Sequence, residues 1–262
     1  MSRPKVVILC GGKGTRLREE TEIKPKPLVE IGGRPILWHI MKIYAHFGYN
    51  DFILCLGYKG QMIKEYFYNY HILMNDFTIN LDGKRDMILH NFSDEINWKI
   101  TLVDTGLDSL KGARIKKIEK YIDGDNFLLT YGDGVANVNI AELIDFHNKH
   151  GKVGTLTGVR PPSRFGDLII DNGRVTNFTE KPQASAGMIN GGFFVLNRKL
   201  FEYLSADKEC DFELGALERL AEAGELMVYP HKGSWECMDT FRETKHLDEL
   251  WNQNKAFWKV WK

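Results

Sequence analysis

Short apolar runs and stretches of helical period alternate from residue 5 to about 160. Val6-Val7-Ile8-Leu9-Cys10, Phe52-Ile53-Leu54-Cys55-Leu56, Thr101-Leu102-Val103, Phe127-Leu128-Leu129-Thr130 and Val153 to Val159 read as strands. Continuous apolar runs without a polar alternate face mark strands covered on both sides. Between the first two, Arg34-Pro35 opens a helix whose stripe is Ile36, Leu37, Ile40, Ile43, Tyr44 and Phe47, ending before Gly48. Its proline stands at a permitted early position. Further helices are predicted from about Gly60 to Leu73 and from Asn139 to His150. Such alternation specifies an α/β fold, doubly wound around a mainly parallel central sheet.

The second half changes character. Asp167-Leu168-Ile169-Ile170, a turn at Asp171-Asn172-Gly173, and Val175 to Thr179 carry a hairpin signature. A strand from Ile189 to Leu196 follows, then helices near 197–204, 211–223 and 240–256. This C-terminal part reads as antiparallel and substrate-covering, fused to the same core, because no Gly/Ser/Pro-rich linker separates the halves. A single domain over residues 1–262 is expected, divided in role near residue 160. Asn75 to Trp98 mixes polarity with a period near two in places, and reads as either a protruding hairpin that meets another subunit or a disordered loop.

The first strand empties into Gly11-Gly12-Lys13-Gly14-Thr15-Arg16, and Lys24-Pro25-Lys26-Pro27-Leu28 follows shortly after. Three glycines, an arginine and a lysine thus gather at one mouth of a buried strand. Glycine lets backbone N–H groups approach an anion closely, and the two cations neutralise charge that backbone dipoles cannot. A polyphosphate is the expected guest. The dinucleotide fingerprint is disfavoured, since Leu17 stands at its third small position. The P-loop spacing is missing, and the Gly11 to Gly14 resemblance to an RNA-gripping loop lacks a basic, aromatic context. A purely structural turn remains the plain alternative.

Any phosphate affinity must be local. Lys plus Arg equals Asp plus Glu at 35 each, so no global field favours nucleic acid or an acidic membrane surface. Met1-Ser2-Arg3-Pro4-Lys5 leads into only five apolar residues, too few for a signal-peptide core, and no run approaches membrane-spanning length. Cys10, Cys55, Cys210 and Cys237 form no C-x-x-C pair. Reduced thiols in a cytoplasmic protein are the expectation. His147-Asn148-Lys149-His150 is read as a polar helix end.

Tyr131-Gly132-Asp133-Gly134 directly follows a buried strand, at the end where open α/β sheets collect ligands. Asp133 there is placed to hold Mg²⁺ on a triphosphate, with an ordinary Asp-Gly turn as the alternative. Trp235-Glu236-Cys237-Met238-Asp239-Thr240 ends in a second carboxylate just before a helix. Asp239 is either that helix's N-cap or a partner of Asp133 on one metal ion. Between them, Glu180-Lys181-Pro182 and Ile189-Asn190-Gly191-Gly192-Phe193 offer groups for a hydroxylated, phosphorylated ligand. Asn190 donates and accepts at once, which suits a vicinal diol. Gly191-Gly192 marks close ligand approach or a bulge.

In this order, GGKGTR, KPKPL, YGDG, EKP, INGGFF and WxxMDT resemble the sugar-1-phosphate nucleotidylyltransferases over essentially the whole chain. KPKPLVEIGGRPILWHI, TYGDGV, INGGFFV and MDTFRE are most similar to the cytidylyl branch. The resemblance implies a Rossmann-like nucleotidyltransferase fold, Mg²⁺ dependence, and CTP and α-D-glucose 1-phosphate as substrates. CDP-glucose and pyrophosphate would be the products, feeding dideoxy-sugar and lipopolysaccharide O-antigen synthesis. It further implies a homo-oligomer, trimeric or hexameric. A uridylyl- or thymidylyltransferase and a non-catalytic nucleotide-binding module are the rival readings.

Residue by residue, Leu9, Gly11, Gly12, Gly14, Thr15, Arg16, Lys26, Ser109, Arg114 and Gly132 would line the nucleotide. Arg16, Lys26 and Asp133 would carry catalysis, with Asp133 and Asp239 holding the metal. Glu180, Lys181, Asn190 and Gly191 would bind the sugar phosphate. The resemblance implies one departure: many relatives that read uracil or thymine carry a small-residue loop where the corresponding stretch here looks like Ser109-Leu110-Lys111-Gly112-Ala113-Arg114. Cytosine presents N3 and O2 as acceptors, and an arginine fork has only donors, so Arg114 would favour cytosine over uracil. Its alternative place is the exposed face of the Ile115-Lys116-Lys117-Ile118 helix.

Overall fold

The computed structural model describes residues 3–82, 86–90, 97–161, 167–171, 174–179 and 187–261. A seven-stranded sheet runs through it in the spatial order Leu226–Pro230, Gly154–Val159, Ile189–Asn197, Asn126–Tyr131, Val6–Cys10, Asp51–Leu56, Lys99–Asp104. Val6–Cys10 sits centrally, parallel to both neighbours. Only Ile189–Asn197 runs against the rest, pairing antiparallel with the strands on either side. The expected antiparallel element is therefore a strand inserted within the main sheet, and strands from both sides of residue 160 interleave. The hairpin of Asp167–Asp171 with Arg174–Thr179 stands outside that sheet. Its turn residues Asn172 and Gly173 lie outside the described residues.

Alternate residues of each strand feed different cores. Val6, Ile8 and Cys10 join Ile36, Ile40, Ile43 and Tyr44 of the helix Ile36–His46 on one face. Val7 joins Ile115, Phe127, Phe194 and Phe212 on the other. Two covered faces explain the unbroken apolar runs. The helix predicted to about Leu73 divides at Asn69 into Gly60–Tyr68 and Tyr70–Met74. Asn139 caps Ile140–His150 by accepting from the Glu142 N–H, and Gly151 ends it in the left-handed region. His147 and His150 both bond the Thr155 hydroxyl, so the helix end is polar but packed. Phe77–Ile79 and Met87–Leu89 pair as a hairpin whose apolar side chains are largely exposed.

A second device ties the C-terminus to the first third of the chain. His39 is fully buried among Trp38, Trp251, Trp258 and Trp261. Its Nε2–H donates to the Ile31 carbonyl and its Nδ1 accepts from the Trp258 indole N–H. Both ring nitrogens are thereby committed to the neutral form. Burial pushes its pKa down from 6.5 to about 4. The unfolded chain therefore binds a proton that the folded one refuses across that interval. Stability is expected to be complete above pH 6.5 and to fall by about 3 kcal/mol from this residue as the pH drops towards 4. Denaturation midpoints measured from pH 7 to 4 check this: His39→Gln should flatten the slope, and an unchanged slope would refute it.

Candidate active site

At the end of Val6–Cys10 the chain enters the glycine loop. Gly11 is buried, and a Cβ there would overlap the Arg114 guanidinium. Gly14 has φ +61°, and a Cβ would meet Thr21. Both positions demand glycine. The Gly14 carbonyl accepts from the Leu17 N–H and the Thr21 hydroxyl, which fixes the loop while Gly12, Thr15 and Arg16 stay exposed. Gly132 packs tightly between the first strand and the lysine turn, where a Cβ would press on the Leu9 carbonyl and Pro27.

Lys26 opens a 3-10 turn, Lys26–Leu28, between Pro25 and the buried Pro27 and Leu28. The prolines and the buried leucine anchor the backbone and turn the lysine inward, leaving its side chain 12 % exposed. Its ammonium lies 2.6 Å from an Asp133 carboxylate oxygen and 2.6 Å from one of Asp239. The other Asp239 oxygen takes a 2.6 Å hydrogen bond from Arg16. Burial alone would lower the Lys26 pKa, but Asp133 and then Asp239 outweigh it and hold it above the ordinary lysine value. The lysine is a full cation between two carboxylates.

Local chain geometry explains the meeting. Gly134–Ala136 pairs antiparallel with Trp235–Cys237, and the Met238 N–H donates to the Asp133 carbonyl at 2.8 Å. The N-cap alternative for Asp239 does not hold. Thr240 caps the helix Phe241–Asn252 in a reciprocal box with Glu243, whose carboxylate also accepts the Asp239 N–H. That box leaves the Asp239 carboxylate facing Lys26 and Arg16. A divalent ion held by one or two carboxylates plus substrate phosphates is a normal Mg²⁺ arrangement, and this donor pair fits it.

Elsewhere the structure departs from expectation. Arg114 is on neither an exposed helix face nor a free fork. It is 4 % exposed, and its terminal nitrogens donate to the carbonyls of Leu56, Gly106, Gly11 and Leu107 and to the Thr105 hydroxyl. It braces the glycine loop against the neighbouring strand ends. Ser109 is buried, donating to the Thr105 carbonyl and accepting from Lys117. Asn190 is also engaged: its amide donates to the Tyr131 hydroxyl and accepts the Gly192 N–H. Gly191 and Gly192 mark a register shift, the bulge alternative, with Val159 and the Tyr131 ring packed against them. Glu180 and Lys181 lie outside the described residues.

Three side chains beside the site escaped the sequence reading. Tyr131 donates to Glu213 at 2.7 Å, and Lys111 pairs with the same carboxylate while lying over the Tyr131 ring. No spacing links these residues, so only the folded chain brings them together. The Thr240–Glu243 box, by contrast, has a legible sequence signature.

The chain is similar to known proteins along nearly its whole length. The nucleotidyl transferase family model matches residues 5–244. Glucose-1-phosphate cytidylyltransferase of Salmonella typhi is 51% identical over 258 residues, 98% of this chain and 99% of its own. The probable glucose-1-phosphate cytidylyltransferase of Bacillus subtilis is 48% identical over 98% of this chain and all of its own. Among solved structures, UDP-glucose pyrophosphorylase from Acinetobacter baumannii superimposes with a TM-score of 0.71 at 16% identity, covering 98% of this chain and 96% of that one. The last likeness shows the shared fold alone, while the family model and the two relatives show more: the chain belongs to the nucleotidyl transferase family.

Proposed function

We propose that this chain transfers the cytidylyl group of CTP to α-D-glucose 1-phosphate, releasing pyrophosphate and forming CDP-glucose. The observation that carries the reading is the Lys26 ammonium in contact with both Asp133 and Asp239 at the mouth of the glycine loop. Relatives about half identical over their full length, named for that activity, supply the substrates.

The sugar-phosphate oxygen attacks the α-phosphorus in line, and pyrophosphate departs opposite it. The attacking group is already ionised, so no protein nucleophile is needed. Catalysis is then positioning and charge neutralisation. Backbone N–H groups of Gly11, Gly12, Gly14 and Thr15 hold the triphosphate beside Leu9 and Gly132. Lys26 neutralises the α-phosphate and the incoming phosphate, and Arg16 steadies the departing pyrophosphate. Asp133 and Asp239 are the residues that would hold Mg²⁺, which when bound neutralises phosphate oxygens. Asn190 and Gly191, with Glu180 and Lys181, are assigned to the sugar phosphate.

At the base end, Arg114 contributes to nucleotide choice by exchanging carbonyl partners. Its bonds to Gly106 and Leu107 are the less buried ones, so a cytosine acceptor edge would take over those donors. A homo-oligomer is part of the same reading, with the exposed apolar hairpin Phe77–Ile79 and Met87–Leu89 as its contact. So is a cytoplasmic location: Cys10, Cys55, Cys210 and Cys237 are free thiols, and no described helix is long and apolar enough to cross a membrane.

Pyrophosphate release with each of four nucleoside triphosphates against a panel of sugar 1-phosphates tests turnover, base and sugar together. Release with CTP and glucose 1-phosphate well above every other pair is the expected result. Lys26→Ala, Asp133→Asn and Arg16→Ala should each lower turnover by about 10²-fold or more, the usual cost of one lost transition-state charge contact. Wild-type turnover in Asp133→Asn would remove that residue from the site. Arg114→Lys keeps the charge but loses the fork, so it should narrow the CTP-over-UTP preference, read as the ratio of kcat/KM values. An unchanged ratio defeats the base-reading role.

A further inference from the structure

Lys26 occupies a position between the two carboxylates proposed above as donors for a divalent ion. Its ammonium bonds one oxygen of each at 2.6 Å, and Arg16 holds the second Asp239 oxygen. Two cations and two anions make a quartet with no net charge. An arriving divalent ion therefore finds both carboxylates already neutralised by cations, with Lys26 bonded to each of them. A triphosphate arriving alone finds both cations already paired. Either ligand by itself would strand two charges of like sign in a part-buried site, which is costly.

We infer that Lys26 bars the Asp133–Asp239 pair to divalent metal until a nucleotide draws it away, so that metal and nucleotide are taken up cooperatively. The inference rests on the proposed phosphate role of Lys26 and extends it. When phosphate oxygens take Lys26 and Arg16, the two carboxylates are freed together for the metal, and no charge is left alone. Only side chains need turn. The Lys26 backbone is pinned by Pro25, Pro27 and the buried Leu28. Asp133 is pinned by the Met238 N–H and Asp239 by Glu243. By linkage, each ligand raises the affinity for the other by the same factor.

The test uses Mn²⁺ alone, titrated into the full chain without nucleotide or sugar and read from the electron paramagnetic resonance signal of free Mn²⁺. Lys26→Met should bind one Mn²⁺ at least about tenfold more tightly than the wild type, within the usual range of coupling between sites. Lys26→Gln keeps a donor between the carboxylates and should show the same gain, while Lys26→Arg should behave as the wild type. Adding Asp239→Asn to Lys26→Met should abolish the gain. Circular-dichroism melts confirm that each variant is folded. Equal Mn²⁺ affinity in the wild type and Lys26→Met, or a gain that survives Asp239→Asn, overturns the inference. Because no substrate is present, that failure is distinct from a failure of the pyrophosphate-release assay.

Discussion

The site hangs on one backbone contact, the Met238 N–H donating to the Asp133 carbonyl beyond a ribbon of three paired residues on each side. Without it, the two aspartates belong to distant parts of the chain with no reason to meet. The ribbon is short, and short two-stranded ribbons are not stable alone. Its stability comes from what flanks it. Val135 and Ala136 are buried in the core, and Trp235 donates to the Gly191 carbonyl across the bulge. On the far side, the capping box begins a twelve-residue helix that holds Asp239 from behind.

That helix is fastened in turn to the segment carrying Lys26. Asp248 accepts the Gly32 N–H at 2.7 Å, and Trp251 covers Gly32, whose φ of +59° and crowded Cα admit no side chain. Gly32 lies in the turn between Glu30–Ile31 and Arg34–Pro35, just past the Lys26–Leu28 turn. The buried His39 and its tryptophans complete the clamp. The lysine and its second aspartate are thus mounted on two pieces of backbone that grip each other. This is why a neutral, buried histidine outside the charged site bears on its geometry.

How far the chain could be read in advance follows from how local each constraint is. The loop from Gly11 to Arg16 is legible because Gly14 needs a positive φ and the strand before it is an unbroken apolar run. The Pro-Lys-Pro turn and an aspartate after a buried strand are legible for the same reason. Arg114 is not. Its sequence neighbours suggest a helix face, whereas its environment is made by Gly11, Leu56 and Gly106, from three separate segments. The edge strand Leu226–Pro230 gives no clear signal either, since Met227 and Val228 are exposed and a proline ends it. Asp239 falls between these cases: the box beside it is local, but its partner is not.

The contacts within the charged quartet differ in strength, and the difference orders their exchange. The Arg16 side chain is 72 % exposed, and an ion pair so open to water contributes about 0–1 kcal/mol. Lys26 is largely buried, bonded twice, and held charged by its partners. An anion approaching from solvent therefore meets Arg16 first and gives up little to recruit it. Release of Lys26 would require that anion to reach deeply enough to replace two carboxylate bonds at once. On the proposed reading, a short phosphate ester at the rim would recruit the arginine alone, whereas a chain of phosphates laid along the glycine loop would reach both. Depth of insertion would then distinguish the two, because the exposed Arg16 and the largely buried Lys26 lie at different depths.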